Sequence, residues 1–184
     1  MSIASEIRAF FSRNGIRSSI AYAIETYIGW LVRGLPGVEG FFFRRLLYRL
    51  LMEKCDRETY IYPDVRILFS GRISMGRWVA INSGTYIDGG GSITIGDNVM
   101  IGPDCIIASR GHTFSSKEIP MRLQPVDSSP ITIGNDVWIA AKSTILGGVS
   151  IGSGAIIAAG SVVNTEVPPF TIFGGTPAVK IGDR

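Results

Sequence analysis

One histidine and two cysteines stand among 184 residues, and each scarcity removes a class of chemistry. A zinc centre of the three-imidazole kind cannot be built from His112 alone. Cys55 and Cys105 are too few for a secreted disulfide framework and lack C-x-x-C spacing, so a reducing, cytoplasmic setting is expected. Charged residues are also sparse, at 18%, yet no uncharged apolar run reaches the ~18 residues of a membrane span. The nearest, Ile16 to Val32, is split by Glu25. At the start, Glu6, Arg8, Arg13 and Arg17 do not follow the order of basic stretch, apolar run and small-residue cleavage site, so no signal peptide is expected.

What is present is 46% apolar residues and 23 glycines, the composition of one folded domain with an appendage rather than a disordered chain. The net charge of +3 is unevenly placed. Residues 1–60 hold nine Lys/Arg against six Asp/Glu, and residues 61–184 hold nine of each. No nucleic-acid motif accompanies the basic third, so its excess points to a membrane surface or an anionic partner and not to nucleic acid.

A six-residue beat organises the rest of the chain. Ile133, Ile139, Ile145, Ile151 and Ile157 lead successive hexads, and Val163 follows. The same beat runs through Ile61, Ile67, Met75, Ile81, Ile87, Ile95, Ile101 and Ile107, with two-residue insertions after Ile67 and Ile87. Of these 14 leads 12 are isoleucine, in a chain where isoleucine is about one residue in seven. A small or β-branched residue stands four places on, as at Val79, Thr85, Val99, Cys105, Val137 and Ser143, which is the period-2 spacing of inward positions on a short strand. A single hexad cannot bury its lead residue but stacked hexads can, so the pattern predicts an all-β solenoid, a β-helix.

This repeat resembles the hexapeptide-repeat acyltransferases, in particular the sugar and polysaccharide O-acetyltransferases of the maltose/galactoside acetyltransferase group. The resemblance covers residues 61–182 and implies a left-handed parallel β-helix domain over 61–184, with three hexads to a coil and nearly five coils. It also implies a homotrimer, acetyl-CoA as acyl donor, a sugar or glycan acceptor and no metal.

The beat breaks once. Ile107 and Ile133 are 26 residues apart where six are asked for, and a loop over 108–132 is expected. It holds the only histidine, and its Pro120, Pro125 and Pro130 oppose both helix and central strand. A hydroxyl attacking a thioester must lose its proton, a task suited to an imidazole titrating near neutral pH. The family carries its base on a loop in this place, in a pattern that His112, Phe114, Ile119, Pro120, Met121 and Arg122 match. The resemblance therefore makes His112 the general base and sets Phe114 and Arg122 against the substrate. Similar loops often have Asp soon after Phe, whereas Ser115 and Ser116 stand here. The stretch Ile81-Asn-Ser-Gly-Thr-Tyr-Ile-Asp88 looks like the segment from which the family draws an Asn and an Asp, so Asn82 and Asp88 are candidates to assist His112. Three hexads to a coil would set Asp88 one coil beneath the segment leading to His112.

For the donor, the family's groove follows an Asn-Asp-Val-Trp-Ile motif, here Asn135 to Ile139. By resemblance, the backbone N–H groups of Ala141 and Ala159 would meet the pantetheine and thioester, Trp138 would touch the donor from the solvent side of its hexad, and Lys180 would stand near the coenzyme phosphates. Two departures accompany this ending. Asn164-Thr165-Glu166 replaces a stretch that is often Thr-Lys-Asp, and Lys180 falls one place later than the usual lysine.

Residues 1–60 read as an α-helical extension. Phe43, Leu46, Leu47, Leu50 and Leu51 recur at helical spacing while Arg44, Arg45 and Arg49 cluster on another face, predicting an amphipathic helix from Phe41 to Cys55 with a break at Arg33-Gly-Leu-Pro-Gly37. Two roles stay open for it: a cap or subunit-packing surface for the first coil, and peripheral contact of residues 16–55 with the inner face of the cytoplasmic membrane. The expected function is acetylation of a sugar hydroxyl in bacterial cell-surface polysaccharide biosynthesis. N-acetylation of an amino sugar or nucleotide sugar, and a non-catalytic binding solenoid, are the alternatives.

Overall fold

The hexad beat becomes a triangular prism. Every lead residue sits in a strand of two or three residues with its side chain inward, and none is more than 2% exposed. Three places after the lead the chain turns a corner through positive φ, at Asp64, Asn98, Asp104 and Asp136 among others, residue types that tolerate that conformation. Trp78 and Lys142 adopt it too, without that ease.

The computed structural model describes residues 20 and 22–184. Three parallel ladders form the faces. Face A stacks Lys54–Cys55, Ile73–Met75, Ile93–Ile95, Ile131–Ile133 and Ser150–Ile151. Face B stacks Tyr60–Ile61, Ala80–Ile81, Met100–Ile101, Trp138–Ile139, Ile156–Ile157 and Thr171–Gly175. Face C stacks Arg66–Leu68, Tyr86–Asp88, Ile106–Ala108, Thr144–Leu146 and Val162–Val163. The coils wind as a left-handed β-helix of about six turns, one more than the leads from Ile61 onward suggest.

The extra turn comes from the helical segment. Helix α1 occupies residues 22–33 and helix α2 Gly37–Leu51, so α2 ends before Lys54–Cys55, which pairs with Ser74 and Met75 as the first rung. The helix expected from Phe41 to Cys55 is thus corrected at both ends. Its predicted apolar stripe is corrected as well: Leu47 is buried with Tyr48 and Met52, while Phe43, Leu46 and Leu50 face solvent. Arg44, expected on a basic surface, has no exposed area. Its Nε donates to the Ile61 carbonyl (2.8 Å) and its Nη1 to those of Leu35 (2.7 Å) and Val32 (3.2 Å), clamping the helix junction to the first coil. Among the described residues its Nη2 finds no acceptor, and burial lowers the pKa of the guanidinium.

The opposite end closes with Ala178–Asp183, which pairs antiparallel with Thr171–Gly175. Arg184 then reaches back to the Asp136 carboxylate at 2.9 Å. Among the described residues no helix is long and apolar enough to cross a membrane.

Candidate active site

Departures from the six-residue beat gather at one edge of the prism, where face C passes to face A. The insertion after Ile67 puts Phe69 at positive φ and a short 3-10 turn at Ser70–Arg72 there. The insertion after Ile87 puts Gly89, Gly90, Gly91 and Ser92 there, and the long excursion over residues 109–130 leaves from the same edge. A coil can absorb extra residues only at a corner, because a longer strand would break the register of the ladder on both sides.

The excursion is ordered by its own hydrogen bonds. Arg110–His112 pairs antiparallel with Val126–Ser128, setting His112 opposite Val126. The buried Gln124 amide donates to the carbonyls of Ser116 (2.9 Å) and Ile119 (2.8 Å) and accepts from the Ser116 N–H, which folds the tip back on itself. His112 sits exposed on this hairpin with no side-chain hydrogen bond among the described residues. Phe114 and Arg122 are exposed as well, as are Ile119, Met121 and Leu123, which make an exposed apolar tip.

Asp88 lies directly beneath Ala108 in the face C ladder. Its carboxylate meets Arg110 and not His112: Arg110 Nη2 donates to Oδ2 at 2.7 Å, Nε donates to Oδ1 at 2.9 Å, and the Gly90 N–H adds a bond of 2.9 Å. The Arg110 guanidinium also lies 4.1 Å from the centroid of the Phe69 ring. Gly90 is required here, since a Cβ would collide with the Arg110 side chain. Asp88 therefore fixes the root of the hairpin two residues before the imidazole. Arg110 and Gln124 escaped the reading of the sequence; Gln124 carries no sequence signal, and the sole cue for Arg110 is its place two residues before His112.

Asn82, Ala141 and Ala159 lie at the other edge of face C, where it meets face B. Asn82 is half-buried there, its Nδ2 donating to the Ile101 carbonyl at 3.2 Å. Its N–H bond to the Ile101 carbonyl belongs to a column running from Tyr62 through Asn82, Gly102 and Ala140, with Ala141 and Ala159 next to it on successive coils. Neither the Ala141 nor the Ala159 N–H donates a hydrogen bond among the described residues, so two N–H donors one coil apart remain available. Trp138 is half exposed on face B between Met100 and Ile156. Lys180 lies further along that face, opposite Phe173, and is paired to Asp183 at 2.7 Å.

The candidate residues of one chain thus fall into two groups. His112, Asp88, Phe114 and Arg122 belong to the C/A edge, while Asn82, Ala141 and Ala159 belong to the B/C edge and Trp138 and Lys180 to face B. Asn82 and Asp88 are six residues of extended chain apart, up to about 20 Å. Neither cysteine is poised as a nucleophile: burial raises the pKa of both Cys105 and Cys55. Among the described residues no three His, Cys, Asp or Glu side chains gather as a metal site would require.

Comparison with known proteins agrees with this architecture. The family model described as "Bacterial transferase hexapeptide (six repeats)" matches residues 130–165, and "Hexapeptide repeat of succinyl-transferase" matches residues 92–111. A galactoside O-acetyltransferase of Escherichia coli (strain K12) is 32% identical over 144 residues, 77% of this chain and 70% of the relative. A putative colanic acid biosynthesis acetyltransferase, WcaF, of the same organism is 26% identical over 178 residues, 96% of this chain and 92% of the relative. Among solved structures, a hexapeptide-repeat-containing acetyltransferase from Vibrio cholerae O1 biovar eltor complexed with acetyl coenzyme A superposes with a TM-score of 0.82 at 29% identity, covering 92% of this chain and 90% of that one.

Proposed function

This chain belongs to the hexapeptide-repeat acetyltransferase family, and from that membership we propose that it moves an acetyl group from acetyl-CoA to a hydroxyl of a sugar used in bacterial cell-surface polysaccharide, with His112 as general base. The observation that carries this proposal is the position of the sole histidine, exposed on the one long excursion from a coil of an acetyltransferase fold. The likeness to relatives named for galactoside O-acetylation and colanic acid biosynthesis supports a saccharide hydroxyl as acceptor.

In the proposed step His112 takes the proton of the acceptor hydroxyl as its oxygen attacks the thioester carbon. The carbon–sulfur bond breaks, and the imidazolium returns the proton to the departing thiolate, leaving an O-acetyl sugar and coenzyme A. Asp88 acts as a positioning residue, holding Arg110 and through it the hairpin that presents His112. The free N–H groups of Ala141 and Ala159 suit the amides and thioester of the donor arm, and Trp138 offers an aromatic wall. Lys180 and Arg122 supply positive charge for donor phosphates and acceptor hydroxyls, and Phe114 supplies a ring face for the sugar. Asn82 contributes from the donor edge.

Because the half-sites lie on different edges, the working unit we infer is a homotrimer, in which the His112 loop of one copy closes over the donor edge of its neighbour. The bare apolar tip at Phe114, Met121 and Leu123 supports this. Two buried or half-buried unpaired thiols suit a cytoplasmic setting.

Release of coenzyme A from acetyl-CoA, measured with a panel of mono- and oligosaccharides, tests the proposal. His112→Ala is expected to lower the sugar-dependent rate by about 10² to 10⁴-fold. An unchanged rate would remove His112 from the mechanism, and turnover confined to amino sugars would replace O- by N-acetylation.

A further inference from the structure

The surface of the α1–α2 hairpin is unusual for a water-facing one. Between residues 22 and 33 the only charged side chains are Glu25 and Arg33. Glu25, which in the sequence interrupts the apolar run, is turned inward, accepting the N–H groups of Phe69 (2.9 Å) and Ser70 (3.0 Å). The outer side of α1 is left with Tyr27, Ile28, Trp30 and Leu31, of which Trp30 is 66% and Leu31 62% exposed. On α2, Val38, Phe42, Leu46 and Leu50 face out, Leu50 at 75%. Single exposed apolar residues are ordinary, but two adjacent helices that both turn theirs to solvent mark a surface that something covers.

Charge says what covers it. Residues 22–51 contain four arginines and two glutamates, a balance of 4 − 2 = +2, whereas residues 52–184 contain eleven Lys/Arg and twelve Asp/Glu, a balance of 11 − 12 = −1. Among the described residues, Arg33, Arg45 and Arg49 form no ion pair, although Arg45 Nη1 donates to the Arg57 carbonyl at 3.0 Å. Exposed Trp and Tyr beside arginines without a carboxylate partner on a largely apolar helical surface is the composition of helices that lie in the lipid headgroup layer. We propose that the outer faces of α1 and α2 dock this protein on an anionic lipid bilayer, with Tyr27, Trp30, Leu31 and Leu50 entering the interface and Arg45 and Arg49 meeting lipid phosphates. Among the described residues no helix is long and apolar enough to span; the attachment we propose is peripheral and salt-sensitive. The proposal is independent of the acetyl-transfer chemistry.

Co-sedimentation of the full chain with phosphatidylcholine vesicles, with and without phosphatidylglycerol, tests it. Binding is expected to vesicles containing phosphatidylglycerol and to weaken as salt is added. Each of Arg45→Gln and Arg49→Gln should weaken it about fivefold. Trp30→Ser combined with Leu31→Ser should abolish it while circular dichroism and the molar mass by light scattering stay those of the wild type. Failure to sediment with either vesicle overturns the proposal. So does a change of molar mass in the Trp30/Leu31 variant without vesicles, which would assign the face to a second copy of the chain.

Discussion

A carboxylate placed under a helix in an apolar setting is costly unless its charge is used, and Glu25 uses both oxygens. It satisfies the N–H groups of Phe69 and Ser70 at a corner whose backbone runs through positive φ. Burial raises its pKa above the ordinary 4.5, the hydrogen bonds from Ser70 and Phe69 oppose that rise, and nearby Asp88 adds to it. A carboxyl whose folded pKa lies above its unfolded one binds more protons in the folded state, so its contribution to stability is whole below the unfolded value and is lost as pH rises through the folded one. Wild type should therefore lose stability relative to Glu25→Gln as pH is raised from about 4.5 towards neutrality. Urea midpoints of the two proteins at a series of pH values check this; a wild-type midpoint that holds level or rises relative to that of Glu25→Gln as pH increases would exclude it. Neither Glu25 nor Arg44 declares its direction in the sequence. Each lies within reach of both an apolar and an exposed face of its helix, and only the backbone groups of a distant coil decide the matter.

Among elements, the strands were legible and the helix ends were not. A lead aliphatic every six residues is dictated by the prism, because the chain turns one buried lead position into the core on each face between successive corners. The first rung obeys the same rule in disguise: Cys55 stands six residues before Ile61, and Thr59, four places on, is buried like Val79 and Val99. A cysteine in the lead slot and leucines at helical spacing just upstream hid it. The 109–130 excursion was visible as a break in the beat, but its hairpin was not, since the clamp at Gln124 joins side-chain amide to backbone carbonyls that no pattern announces. That clamp has a testable consequence. Gln124→Ala frees the tip that follows His112, and loss of orientation of this kind lowers turnover by up to about 10²-fold. The expected signature is a fall in kcat with the acetyl-CoA KM unchanged and the fold intact by circular dichroism. A fall in thermal stability of the whole chain with kcat untouched would instead make Gln124 a structural residue only.

At the scale of the molecule, a solenoid divides labour between its edges. Each coil contacts only the coils above and below, so residues at different edges of one chain cannot converge however the coils are adjusted. The C/A edge holds His112 and Asp88, proposed as base and positioning carboxylate, and the B/C edge holds the free N–H donors of Ala141 and Ala159; the proposed closed trimer would bring one edge of a copy to the other edge of its neighbour. Sequence could locate every residue on its coil, yet the division appears only when corners are assigned to faces. The consequence is a complementation experiment. His112→Ala lacks a base but keeps an intact donor edge, and Ala141→Trp keeps its base but fills the column beside Gly102. Each alone should be inactive. Denatured together in equal amounts and refolded, copies mix at random, and a site drawing its loop from the Ala141→Trp chain and its donor edge from the His112→Ala chain is whole. One arrangement in four meets that condition, so about a quarter of wild-type activity should return. If native mass spectrometry finds mixed assemblies and activity stays absent, both half-sites must serve within a single chain, and the prism would have to bend in a way its ladders do not allow.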